Sequence, residues 1–478
     1  MAGRSLSASA KAEGLMGGGG LPASAPCMTD PEREQTLRAI TEWQSHHPDT
    51  AQRLALDVPP KFTFYPLGGT LYGDVFTANF VDLDPGPDIL DWDCTANTYN
   101  GHDASDVLLR SFGEQLIGVP VFAALDGTVV DAHDGEPDMH SACAGIANYV
   151  ILQHAGGRVT YYLHLKQNSV QVSVSQVVRA GEQLGLAASS GCSDWPHLHF
   201  ATYDNSSLVE PYAGLCRPGE SQWVDQTAMN PALYVRDLNF STGTPNLPFD
   251  APRTGTFVAG LQSIRFWILT GNLPANSNYR FRFIRPDSSL AFDSGLGEFG
   301  NPYHRFSWWW WSQPINVNQL GTWHLNVELN GTPVASAPFD VVVFPFQIVN
   351  RPPNPITAQI EPFVPTEDDV LICRVNTDLI LDDPDYNIVR YRYVWEVDGS
   401  TVRDVVTAGH ADVIPHHTAS PGSVVTCTVT PGDGTSEGLP AQATKMLAGP
   451  IPTLSEWGVM SLAGAMVMAA SAVLRKRR

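Results

Sequence analysis

Short runs of alternating apolar and polar residues fill most of the chain, and Gly, Pro, Asn and Asp punctuate them. Val119-Pro-Val-Phe-Ala123, Leu125-Asp-Gly-Thr-Val-Val130 and Tyr149-Val-Ile-Leu-Gln-His154 read as strands, since residues two apart share one face of a sheet. TWHLNVEL (322–329), APFDVVVF (337–344) and Val389-Arg-Tyr-Arg-Tyr-Val-Trp395 carry the same signal. Asp126-Gly127 between two apolar runs predicts a hairpin turn. Val178-Arg-Ala-Gly-Glu-Gln-Leu-Gly185 predicts two strands joined through a Gly turn. EREQTLRAITEW, within residues 30–57, is instead a short helical lead. Near the end an apolar stretch of about 17 residues reaches Leu474, just enough to span a bilayer as a helix.

These patterns divide the chain. Residues 1–57 are a low-complexity N-terminus with the helical lead, and 58–240 form a first β domain. A Thr/Pro-rich connection at 241–255 leads to a β-sandwich over 250–347, and Pro352-Pro-Asn-Pro355 leads to a second over 352–446. Residues 449–478 form the tail. Trp308-Trp-Trp-Trp311 alternates between faces of a strand, so core and edge packing explains it better than a glycan platform. Asp382-Asp-Pro-Asp385 reads as a turn, with Ca²⁺ binding as the lesser alternative.

Composition narrows the class. With 28 basic against 49 acidic residues, nucleic acid is excluded as the main partner, because phosphate binding needs basic patches. Seven cysteines occur without a Cys-x-x-Cys pair, which argues for disulfides in an exported protein over thiolate metal or redox chemistry. Cys373 and Cys427, about 54 residues apart around Trp395, form the Cys…Trp…Cys order of an immunoglobulin-like sandwich and are expected to pair. Pairing among Cys94, Cys143, Cys192 and Cys216 is open, and Cys27 is left over. Residues 1–27 lack the apolar core of an export signal.

The chemistry lies in three blocks: His102-Asp-Ala-Ser-Asp106, Tyr162-Leu-His164-Leu165 and Trp195-Pro-His197-Leu-His199-Phe200. On a strand, His197 and His199 project to one side while Leu198 and Phe200 face the core. His102 and Asp106, placed on a loop, can close on one ion with His199. Two nitrogens and one oxygen suit Zn²⁺ and leave the open position that separates a catalytic site from a structural one. His164, placed on a strand, would complete the site as a proton shuttle or a donor to a developing oxyanion.

In this order, with PVFAALDGTVV and VSVSQVVRAGEQLG between them, the blocks resemble the lysostaphin/LytM-type zinc metalloendopeptidases, the peptidoglycan-hydrolase family. The likeness is dense over about 100–205. By position it implies His102, Asp106 and His199 as ligands of one zinc. It implies His164 and His197 as the catalytic pair that activates water and stabilises the oxyanion. The chain departs from the family pattern at Ala104, in the Ser189–Trp195 loop and at Ala201. Ile451-Pro-Thr-Leu-Ser-Glu-Trp-Gly458, the apolar stretch and Arg475-Lys-Arg-Arg478 resemble the IPTL-type sorting signal of Gram-negative bacteria. That resemblance implies handling by an exosortase-like membrane enzyme, and the basic end places the body outside the cytoplasm.

The expected fold is therefore all-β. An antiparallel β-sheet metallopeptidase domain precedes two β-sandwich (immunoglobulin-like) domains and a C-terminal transmembrane helix. The expected function is zinc-dependent hydrolysis of peptide bonds in peptidoglycan by an exported, surface-associated enzyme. The alternatives are a catalytically silent peptidoglycan binder or hydrolase activator, and a metallopeptidase acting on extracellular proteins.

Overall fold

Val150, Leu152, Tyr162, Leu198 and Phe200 sit two apart along three neighbouring strands and are fully buried on one face of one sheet. The structure is a computed structural model that describes residues 15–20, 30–55, 58–245, 249, 252–345 and 348–449. It is mostly strand, with 44% of residues in strands and 7% in helices, as the alternation predicts. The first sheet runs Phe76–Asn79, Ser105–Leu108, His197–Asp204, Arg158–Leu163, Tyr149–Gln153, Gly127–His133, Val177–Val178, all antiparallel.

The opposite face is covered by a helix. Asp30–His46 (α1) turns Thr36, Ile40 and Trp43 inward, at helical spacing. Ile40 and Trp43 pack on Ile151, Tyr161, Leu163 and Ala201. Because His197 and His199 alternate with Leu198 and Phe200, they share this face with Ala201. The helical lead thus lies on the side of the sheet that carries the histidines.

Three expectations are corrected. Asp126-Gly127 does not close a hairpin: Pro120–Phe122 pairs with Gln183–Leu186 in a separate two-stranded sheet, while Gly127–His133 pairs with Tyr149–Gln153. A turn dipeptide fixes only the local reversal; partners at distant positions decide the pairing. The Gly181 turn does join two strands, Val177–Val178 and Gln183–Leu186, as expected, each pairing with a different partner. Asp106 is on a strand, Ser105–Leu108, and not on a loop, because that segment is held between two neighbours. His164 stands one residue past the end of its strand, in a left-handed conformation with φ 63°.

Beyond the first sheet, strands Tyr234–Ser241, Gly260–Leu273 and His304–Val317 form one sheet, facing a second that contains Asn278–Ile284, Gly321–Leu329 and Thr332–Val342. Trp309 and Trp311 are buried between these sheets, whereas Trp308 and Trp310 pack on the other side with Trp195 and Trp267. Leu15–Gly20 adds an edge strand against Trp308–Trp311. A side chain on Gly18 would collide with Trp309, so a glycine fits at that position where others would not. The last pair of sheets is bridged by Cys373–Cys427 beside buried Trp395. The other disulfides are Cys94–Cys216 and Cys143–Cys192. Cys27 and residues 451–478, with the expected transmembrane helix, lie outside the described residues. Among those described, no helix is long and apolar enough to cross a membrane.

The last sheets dock on the first domain. Val370, Ile372, Ala411 and Val413 share a buried cluster with Phe64 and Phe122. The Thr407 hydroxyl donates to the Gly118 carbonyl at 2.9 Å, and the His410 amide donates to Asp74 at 2.7 Å.

Candidate active site

Strand register builds the site. His199 lies directly opposite Asp106 on one neighbour and opposite Leu163 on the other, so His164 follows immediately beside it. His197 is two residues back on the same face. His102 precedes the Ser105–Leu108 strand by one turn of chain. All five groups are buried, between 0% and 5% exposed, and therefore act in a low-dielectric pocket and not at an open surface.

The ring orientations are fixed by backbone carbonyls. His102 Nδ1 is 2.7 Å from the Phe80 carbonyl, His164 Nδ1 is 2.7 Å from that of Ser190, and His197 Nδ1 is 2.7 Å from that of Trp195. A carbonyl only accepts, so each Nδ1 carries the proton and each Nε2 presents a lone pair inward. His199 is reversed. Its Nδ1 is 3.0 Å from Asp106 Oδ1, and its Nε2 points away toward Asp103 at 3.4 Å. Asp106 Oδ2 lies 3.0 Å from His102 Nε2, and its Oδ1 is 3.5 Å from His197 Nε2. The His164 and His197 rings are 4.5 Å apart.

One donor atom each from His102, Asp106 and His199 fall within 4.8 Å of one another, as do those of His164, His197 and His199. The first set, two imidazole nitrogens and a carboxylate oxygen, fits a zinc ion with a position left open. Burial alone would push the Asp106 carboxyl up. Its contacts with the imidazoles of His102, His197 and His199 instead hold it well below the usual carboxylate range. It is thus ionised and able to act as a ligand at neutral pH.

Several supporting groups carried no sequence signal. Asn79 donates to Asp106 Oδ2 at 2.9 Å from a neighbouring strand. Asp103, adjacent to His102 in sequence, meets His199, Tyr203 and, from α1, Arg33. The Ser190 and Trp195 carbonyls flank Cys192, which is tied to Cys143. Backbone carbonyls have no sequence signature, and Arg33 is remote along the chain; Asp103 alone was within reach of a reading that weighed every acid beside a ligand.

Residues 113–211 match peptidase family M23, and residues 450–478 match the IPTL-CTERM motif. An uncharacterized metalloprotease of Haemophilus influenzae is 36% identical over 94 residues, 20% of this chain and 18% of that protein. The peptidoglycan DD-endopeptidase ShyA of Vibrio cholerae is 37% identical over 84 residues, 18% of this chain and 17% of that protein. The chain thus spans about a fifth of the length of these curated relatives. The catalytic domain of the antimicrobial peptidase lysostaphin from Staphylococcus simulans has 23% identity over 34% of this chain and 93% of that chain, with a TM-score of 0.19.

Proposed function

We propose that this chain, which carries a lysostaphin/LytM-type peptidase family M23 domain and an IPTL-CTERM motif, is a zinc-dependent endopeptidase that cuts peptide bonds in peptidoglycan. The observation that carries the reading is the convergence of His102, Asp106 and His199 around one point, with His164 and His197 alongside. We assign the first three as metal ligands and the last two as catalytic. Mixed nitrogen and oxygen ligation favours the set containing Asp106 over three imidazoles, because a carboxylate neutralises one of the ion's charges.

Bound there, zinc supplies Lewis acidity toward a water and a peptide carbonyl. The rest falls to the chain's own groups. His197 and His164 have Nδ1–H held by carbonyls, so each offers Nε2 to the reacting centre. One accepts the proton of the attacking water. The other, when protonated, donates to the oxyanion that forms as the water oxygen bonds to the carbonyl carbon. Collapse of the tetrahedral carbon breaks the C–N bond, and the accepted proton passes to the leaving amine.

The domain division we propose takes 58–240 as the peptidase, except that the Tyr234–Ser241 strand at its end belongs with the first sandwich sheet, where it pairs. The two later units are read as β-sandwiches, the last one immunoglobulin-like. They would space the enzyme from the envelope, to which the exported chain is delivered by its C-terminal signal through an exosortase-like membrane enzyme.

The test is to incubate the full chain, loaded with zinc, with Gram-negative sacculi and to sequence released fragments by mass spectrometry. New peptide ends are expected, abolished by chelator and reduced at least ~10²-fold in rate by His197→Ala. Tight sedimentation with sacculi and full zinc loading, but no new ends, would replace this reading with the silent binder.

A further inference from the structure

His199 is the one site histidine whose outward nitrogen meets a carboxylate and not a carbonyl. Asp103 Oδ1 stands 3.4 Å from His199 Nε2. The other oxygen of Asp103 is engaged twice, by the Tyr203 hydroxyl at 2.7 Å and by Arg33 Nη1 at 2.6 Å. Arg33 also donates to the Tyr203 oxygen at 2.7 Å, closing a ring of three side chains. Asp103 is buried, and Arg33 is two-thirds covered, so solvent screens little of this contact.

We propose that Asp103 is a positioning residue for His199, and that Arg33 of α1 locks it, making the N-terminal helix part of the support of the metal site. The inference rests on His199 being a ligand through Nδ1. A ligating imidazole gains basicity and a fixed tautomer when its other N–H is bonded to a carboxylate. Here the geometry supplies that carboxylate, Asp103. At 3.4 Å the contact is longer than a strong N–H···O bond. Ligation at Nδ1 draws electron density from the ring and makes Nε2–H the stronger donor, so the contact tightens on loading. His102, the other histidine ligand, needs no such partner because the Phe80 carbonyl already holds its Nδ1–H. Asp103 and Arg33 are 70 residues apart in sequence (103 − 33). A segment far from the catalytic blocks therefore contributes to them directly.

The rival explanation is that the Arg33–Asp103 pair only fastens α1 to the sheet. The two separate by measuring zinc affinity of the full chain against a competing chelator, together with the visible absorption of the Co²⁺-substituted protein. Asp103→Ala is expected to weaken zinc binding about 10- to 100-fold and to shift the Co²⁺ bands. Asp103→Asn should recover part of the affinity, since its amide oxygen still accepts from Nε2–H. Arg33→Met should weaken binding by less than Asp103→Ala, with α1 retained by Ile40 and Trp43. Affinity within twofold of the parent and unchanged Co²⁺ bands in a folded Asp103→Ala would overturn the inference and leave the ligand assignment standing. Failure of the parent chain itself to bind one zinc would remove the assignment and the inference together.

Discussion

His199 shows how much one side chain depends on its surroundings. Asp106 faces one ring nitrogen and Asp103 the other, while the strand on either side sets the ring's height in the sheet. Another buried histidine shows the same dependence without chemistry. His154 lies with Nδ1 2.8 Å from the Asp126 carbonyl and Nε2 2.7 Å from the Thr160 hydroxyl. Burial lowers its pKa to about 4 from 6.5. It is therefore neutral when folded and takes up a proton more readily when unfolded. The stability it brings is present above pH 6.5 and is lost as pH falls through 4. The stability gap between the parent and His154→Ala should narrow by about 2 kcal/mol between pH 7 and pH 5. Urea midpoints at the two pH values measure it, and a constant gap would contradict the assignment. Glu210, pushed up to about 8 by burial, titrates with the opposite sign, so the parent curve alone would conceal the effect.

At the scale of elements, the loop between Ala188 and His197 holds two of the site's rings. It contributes the Ser190 carbonyl to His164 and the Trp195 carbonyl to His197. Its one covalent restraint is the Cys143–Cys192 disulfide, which ties it to the loop leading into the Tyr149–Gln153 strand. Removing that restraint should broaden the orientations of both rings. The Cys143→Ser/Cys192→Ser variant is expected to lose about 2–4 kcal/mol of stability. Its kcat should fall several-fold with KM little changed, because ring orientation matters in the transition state and not in substrate binding. Assays well below the variant's unfolding temperature separate the two effects. An unchanged kcat there would show that the strand register alone holds the histidines.

For the whole molecule, the question is whether the units are independent. The last pair of sheets buries Val370, Ile372, Ala411 and Val413 against Phe64 and Phe122, and Arg403 reaches Gln183 at 2.9 Å across the same boundary. Deeper in, Arg110 of the first domain meets Glu114 and the Leu379 carbonyl, with Asp382 3.5 Å away. Burial pushes the Asp382 carboxyl up to about 7, against the pull of Arg110. Interfaces this apolar couple the stabilities of their partners. Scanning calorimetry should therefore show the first domain and the last sheets unfolding in one transition. Val413→Asp, which buries an unpaired charge in the shared cluster, should split it in two. A single unshifted transition in the variant would mean that the contact contributes little.

Alternation with period two, the composition of the turns and the His-x-x-x-Asp, Tyr-Leu-His-Leu and Pro-His-Leu-His-Phe blocks were legible along the chain, because side-chain chemistry and local periodicity belong to short segments. The mostly-β character and the Cys373–Cys427 bridge followed from them. The pairing of Asp126-Gly127's flanking strands did not, since a turn signal says nothing of which distant strand offers the better face. Nor did the edge strand at Leu15–Gly20, whose glycines lack the apolar alternation that marks a strand, although at Gly18 a side chain would collide with Trp309. The sequence by itself determined which chemical groups the site has to work with. Tertiary structure decided what the nitrogens of His102, His164 and His199 face, because Phe80, Ser190 and Asp103 reach them only after segments far apart in the chain have been brought together.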